Sequence, residues 1–262
     1  MHSNKGQLYP PYLKRLYSVW FRHFRVYTKN IISNGLPPFL EPLIFLAGIG
    51  LGMSKYVSQM AGIPYITFLA TGLPITAAMF TSSFELSYGT FIRLEFDKVY
   101  DGMLASPLSV KDLMIGEIIW AGTKGAFFSL AVVIVVASFG AVPLPWSLFT
   151  PVIGFLTGIM FAAISLLVTS FVSNINHFNF YFTGFLSPMF FFSGVVFPIE
   201  NLPPVMRVLA EFFPLTHVVR PTRALCLGRF NLEMGIDFLF IIAFTVCAGW
   251  PAINRIQKRL IR

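Results

Sequence analysis

Three charged residues stand where ionised side chains are expensive. Glu85, Glu117 and Lys124 fall inside long apolar stretches, and Glu41 lies near the end of another. Ionisable groups at membrane depth normally face protein or water and find partners there. Structural pairing and proton carriage are both open to these residues, and pairing is the preferred reading. Glu117 and Lys124 are seven apart and share a helical face, although a direct bond between them would be a stretch. No enzyme constellation accompanies them. His23, His177 and His217 are scattered and His2 is terminal. HExxH and GxSxG are missing, and His177, in Ser173-Asn174-Ile175-Asn176-His177, reads as a solvated loop residue. Without a GxxxxGK[ST] loop the chain offers no cradle for ATP phosphates. Gly48, Gly50 and Gly52 lack the strand and spacing of a dinucleotide fingerprint and suit close helix packing instead. Cys226 is expected in an outer loop and Cys247 inside a span, so the two do not pair.

The elements that hold these residues follow from composition. Of 262 residues 56% are hydrophobic and 11% charged, with a mean hydropathy of +0.73. An ordinary soluble domain carries about 25% charged residues. A span needs about 20 apolar helical residues, and six stretches qualify: 38–53, 64–86, 113–139, 148–172, 178–196 and 235–250. The runs are continuous, without the alternation of a membrane barrel. The sequence therefore predicts an all-α integral membrane protein of six transmembrane helices in a single domain spanning 1–262. The formal charge of +8 reflects cations at the chain ends and beside the spans, which encodes orientation rather than nucleic-acid binding.

Lys5, Lys14, Arg15, Arg22, Arg25 and Lys29 precede the first span, and Arg93, Lys98 and Lys111 follow the second. Arg255, Lys258, Arg259 and Arg262 end the chain. The other side has only Lys55, Arg207, Arg220, Arg223 and Arg229. Both termini are expected in the cytoplasm. In 10–30, Leu13, Leu16, Tyr17, Trp20, Phe24 and Tyr27 share a face opposite the cations, as in a helix lying in the membrane interface among lipids. In the inner loop 88–111, Phe96, Val99, Tyr100 and Met103 fall on one face, with Arg93, Glu95, Asp97 and Lys98 around it. Ser109 and Asp112 form a capping pattern for the third span. Held between two spans, such a helix can push on a cytoplasmic partner. The outer loop 198–234 is apolar and broken by Pro214 and Pro221, which predicts two short re-entrant helices and an external gate at Pro198, Phe212, Phe213, Pro214 and Arg220.

Three groups of residues resemble the membrane subunit of type-2 ABC exporters, in the branch that exports lipo-oligosaccharides such as nodulation factors. They are Phe192-Ser193-Gly194-Val195-Val196-Phe197-Pro198 with Leu202-Pro203, Phe213-Pro214-Leu215-Thr216-His217 and Arg220 to Arg223; Gly116-Glu117-Ile118-Ile119-Trp120-Ala121 with Lys124; and Leu104-Ala105-Ser106-Pro107-Leu108-Ser109. The resemblance covers nearly the whole chain in matching order. It implies six spans, an N-terminal interfacial helix, a coupling helix after the second span and re-entrant helices before the sixth. It implies a bacterial inner-membrane permease without cofactors of its own. Two copies would pair with two separate ABC ATPase subunits that carry ATP and magnesium, and an amphipathic substrate would pass between the copies. A secondary transporter would instead use carboxylates within the spans and often internal repeats, and no repeat is visible. An intramembrane enzyme would need a convergent catalytic set, and none is present.

Overall fold

The computed structural model describes residues 9–260, excluding the side chains of Pro38, Glu41, Pro42 and Glu233. His2, Lys5, Arg262 and the Glu41 carboxylate thus lie outside the described residues. Four helices are long and apolar enough to cross a membrane: Tyr65–Phe96, Val110–Ser138, Trp146–Phe171 and Met234–Leu260. They correspond to the second, third, fourth and sixth predicted spans. The second extends ten residues beyond its predicted end at 86, so charged residues assigned to the inner loop stand on a spanning helix.

The other two predicted spans are shorter, interrupted helices. The first runs as Pro37–Phe45, a π-helical segment Leu46–Leu51 and a last turn Gly52–Ser54. The glycines at spacing two fall in and just after the π segment, and the close helix packing expected of them is confined to Gly50, which approaches Ile66; a Cβ at Gly48 or Gly52 would meet no described atom within 4 Å. The fifth runs as Phe178–Tyr181, a π segment Phe182–Leu186 and Ser187–Phe192. Pro188 has no N–H to return to the preceding turn, so the ladder loosens ahead of it. The all-α expectation also needs a small correction. Gln59–Met60 and Ile63–Pro64 form a two-stranded antiparallel ribbon, turned through Ala61 and Gly62, both at positive φ.

We number the helices α1 (Tyr12–Lys29), α2 (Pro37–Phe45), α3 (Tyr65–Phe84, continuing to residue 96), α4 (Val99–Leu104), α5 (Val110–Ser138), α6 (Thr150–Phe171), α7 (Phe178–Tyr181, continuing to residue 192), α8 (Pro204–Phe212), α9 (Thr216–Cys226) and α10 (Glu233–Leu260). Helices α3, α5 and α6 form the centre. A Cβ on Gly158 of α6 would come within 2.8 Å of the Gly122 Cα on α5, so these two backbones touch. In lipid, where apolar burial does not drive helices together, such close approach is a main source of packing energy.

The predicted cap forms: Ser109 Oγ accepts from the Asp112 N–H and Asp112 accepts from the Ser109 N–H, starting α5. Arg15 of α1 also bonds Asp112. Leu16, Val19 and His23 of α1 are buried, with Val19 against Gly116 and His23 against Trp120 of α5. Leu13, Tyr17 and Phe24 of α1 remain exposed. The predicted aromatic face is therefore divided, because Trp20 and Tyr27 turn toward Trp120 of α5. Cys226 is buried, Cys247 exposed, and both are free thiols.

Candidate functional site

The intramembrane charges assemble into one chain of ions. Lys124 Nζ of α5 donates to Glu85 Oε2 of α3 at 2.8 Å, and Glu85 Oε1 accepts from Arg93 Nη1 at 2.8 Å. Arg93 Nη2 reaches Glu117 Oε2 of α5, also at 2.8 Å. Glu117 Oε1 lies 3.1 Å from His23 Nε2 of α1. Thr90 Oγ1 donates to Glu117 Oε2 at 3.1 Å, and Arg93 Nε donates to Tyr100 Oη of α4 at 3.3 Å. Lys124, Glu85, Arg93 and Glu117 thus alternate in charge between α5 and α3, His23 brings in α1, and Tyr100 fastens a fourth helix.

Local backbone geometry makes this possible. Residues eight apart on a straight α-helix point about 80° away from each other. Between Glu85 and Arg93 the α3 continuation passes through the π segment Glu85–Gly89, and Arg93 itself lies in a second one, Ile92–Phe96. The wider turns bring both side chains to the α5 face. Gly89 lets the guanidinium fold back, since a Cβ there would sit 3.2 Å from Arg93 Nη1.

Glu117 is fully buried and His23 4% exposed. An isolated carboxylate there would cost several kcal/mol to bury, and Glu117 has the Arg93 guanidinium beside it. Outside the spans, burial pushes the Tyr100 phenol well above its ordinary value, so it stays protonated beside Arg93. Burial, then the Glu85 charge, pushes Tyr27 up to about 12.

Glu85 and Lys124 also face a cavity of about 700 Å³. Phe80, Phe84, Tyr88, Phe128, Phe182 and Phe190 line much of it, and Thr76 and Thr81 add hydroxyls. It is an aromatic groove with one ion pair in its wall.

The sequence-predicted coupling residues separate. Phe96 is 63% exposed, Val99 and Met103 are half-buried, and Tyr100 is 1% exposed. Helical periodicity had placed them on one face. A break at Lys98, in the left-handed region at φ 51°, ends that periodicity between Phe96 and α4. Arg93, expected at the rim of a docking surface, is the centre of the ion chain. His23 was missed; its signal was its place four residues after Val19 and seven after Leu16, on the packed face of α1.

On the opposite side, Pro198 and Pro214 are buried, Phe213 packs on the core, and Phe212 is 72% exposed. Arg220 bonds the Glu211 carboxylate and approaches Asp237 to 3.6 Å. Arg223, unassigned from sequence, lies over the Phe68 ring at 3.8 Å and donates to Thr71 Oγ1 and the Gly194 carbonyl. It ties α9 to α3 and to the turn after α7.

Comparison with known proteins bears on this arrangement. Residues 14–227 match the family described as ABC-2 type transporter. The chain is 34% identical over 245 residues to Nodulation protein J of Sinorhizobium fredii, covering 93% of each protein. It is 35% identical over 246 residues to Nodulation protein J of Rhizobium leguminosarum bv. trifolii, covering 94% of each. Inner membrane transport permease YadH of Escherichia coli is 21% identical over 248 residues, covering 93% of this chain and 96% of that protein.

Proposed function

The chain belongs to the ABC-2 type transporter family as an ABC-exporter permease subunit, and we propose that it exports an amphipathic, acyl-bearing saccharide or lipid through the aromatic groove. One observation carries the reading. Glu85 lines the groove and also bonds Arg93, which bonds Tyr100 of α4. A movement of α4 therefore has a short, charged route to the groove wall. The groove suits an acyl chain among its phenylalanines, with a polar head near Glu85 and Lys124. The likeness to two Nodulation J proteins favours a lipo-oligosaccharide among such cargoes.

In this reading six helices cross the inner membrane, with α2 and α7 as its first and fifth spans and both termini cytoplasmic. α1 lies in the inner interface, α8 and α9 are re-entrant from outside, and α4 with Phe96 is the coupling element. Two copies pair with two separate ATPase subunits, which bind ATP and magnesium. The distribution of cations along the chain supports this orientation. The test is reconstitution with the co-expressed ATPase in liposomes, comparing an N-acylated chitin oligosaccharide with its non-acylated form. Selective ATP-dependent transport of the acylated molecule is expected. Equal handling of both would overturn the assignment of the groove.

A further inference from the structure

A second buried charge cluster lies at the other end of the molecule, where α8, α9 and α10 meet. His217 of α9 is 7% exposed and stacks on Phe240 of α10, ring centroids 3.7 Å apart. Its Nδ1 lies 2.7 Å from Asp237 Oδ1 of α10, and its Nε2 lies 2.9 Å from the backbone carbonyl oxygen of Glu211, at the end of α8. An ionised carboxylate and a carbonyl can only accept, whereas a neutral imidazole has one N–H. Both contacts are hydrogen bonds only when both ring nitrogens carry protons.

We propose that His217 is the positioning residue of the outer hairpin, holding α8 against α9 and α10 as an imidazolium, so that a proton acts as the ligand closing this end of the permease. Arg220 faces the same group: it bonds the Glu211 carboxylate and stands 3.6 Å from Asp237. Glu200 and Arg223 line the adjoining cavity of about 310 Å³. With His217 charged, His217 and Arg220 balance Asp237 and Glu211. When the ring loses a proton, the remaining N–H stays on the charged Asp237 acceptor, the stronger partner. A nitrogen lone pair then faces the Glu211 oxygen, and the Nε2–Glu211 carbonyl tie between α8 and α9 is the one that opens. The Thr216 Oγ1 bond to the Ala210 carbonyl and the solvent-screened Arg220–Glu211 ion pair remain as a hinge. Helix α8 presents exposed Val205, Val208, Leu209 and Phe212, so its release moves an apolar blade. The role of this end as an exit rests on the topology proposed above; the tie itself does not.

The test is hydrogen exchange of the full chain in lipid nanodiscs at about pH 6 and about pH 9, either side of the ordinary histidine range, corrected for intrinsic exchange. Amides of 205–212 should lose at least about tenfold protection at the higher pH, as expected for one net hydrogen bond to a charged group. In Asp237→Asn the side-chain amide can donate to Nδ1. A neutral ring with its N–H on Glu211 then suffices, so protection should persist at both values. In His217→Gln, protection should be the same at both values. Equal protection of the wild-type chain at both pH values would overturn the proposal without touching the cargo reading, as would a step surviving in Asp237→Asn.

Discussion

Glu85 and Arg93 stand eight residues apart on one helix and meet at 2.8 Å because that helix widens into π turns along the way. Arg93 then carries the interaction to Glu117 of α5 and Tyr100 of α4. Removing one member of a buried pair strands its partner, at about 3–5 kcal/mol, whereas removing both is far milder. Arg93→Met and Glu117→Gln should each lower the melting temperature in detergent, and the double variant should lose less than the two combined. Strict additivity in that double-mutant cycle would mean the two charges do not act as a unit.

The same geometry sets Phe96 apart from Tyr100, so the proposed docking and transmission roles fall on different residues. Phe96 is exposed and Tyr100 buried. Exposed aromatic anchors often dominate an interface, at about 2 kcal/mol or more when truncated. Phe96→Ala should weaken ATPase retention in a pull-down, with Lys98→Ala changing it little. Tyr100→Phe keeps the packing and loses only the Oη contacts to Arg93 and Glu117. It should retain the ATPase while slowing ATP-driven transport relative to hydrolysis. Full transport in both Phe96→Ala and Tyr100→Phe would remove this segment from coupling.

What the sequence made legible was largely what depends on composition and local chemistry. Four long spans, the Ser109–Asp112 cap and two short helices around Pro214 all follow from apolar runs, capping spacing and proline. Pairing of Glu85, Glu117 and Lys124 was expected, but not through Arg93. Straight helical periodicity points Arg93 away from Glu85 and joins Phe96 to Tyr100. The π turns and the left-handed Lys98 reverse both relations, and neither leaves a residue-type signature of its own. His217 and Asp237 were invisible for a simpler reason: twenty residues and a helix boundary separate them.

The closest approach of α1 to α5 is made over one small residue, Gly116. A Cβ at Gly116 would come within 2.7 Å of the Val19 side chain, well inside contact distance. Gly116→Ala should push α1 off α5 at about 1–3 kcal/mol, the usual cost of overpacking. Val19→Gly, which removes the Cβ as well as both methyls, should relieve the clash in the double variant, less about 1 kcal/mol for a glycine inside a helix. The readout is thermal stability together with fluorescence of Trp20, whose indole donates to Thr123 Oγ1 at 3.0 Å. Unchanged stability and fluorescence in Gly116→Ala would contradict tight seating of α1.

Orientation can be read directly. In a chain with Cys226 and Cys247 replaced by serine, single cysteines at Lys55 and Asn201 should react with an impermeant maleimide added outside intact cells. A cysteine at Gln257 should react only after permeabilisation. Reaction of Gln257→Cys from outside would reverse the proposed topology and with it the assignment of inner and outer faces.

The groove makes the sharpest demand on cargo. Ala77 lines it and is half-buried, on the same wall as Phe80 and Phe84. Ala77→Phe would fill part of the cavity with a ring while leaving the Glu85–Lys124 pair and α4 unaltered. If an acyl chain lies there, each methylene excluded from the groove costs about 0.8 kcal/mol, or roughly fourfold in affinity. The variant should therefore discriminate progressively against longer chains. Basal hydrolysis by the associated ATPase should stay at the wild-type level. Competition among cargoes that differ only in acyl length, measured in proteoliposomes, gives the slope. A uniform loss at every length would mean that Ala77→Phe damages the fold. An unchanged slope with full transport would mean that the acyl chain travels elsewhere, and the groove would then be packing space rather than a path.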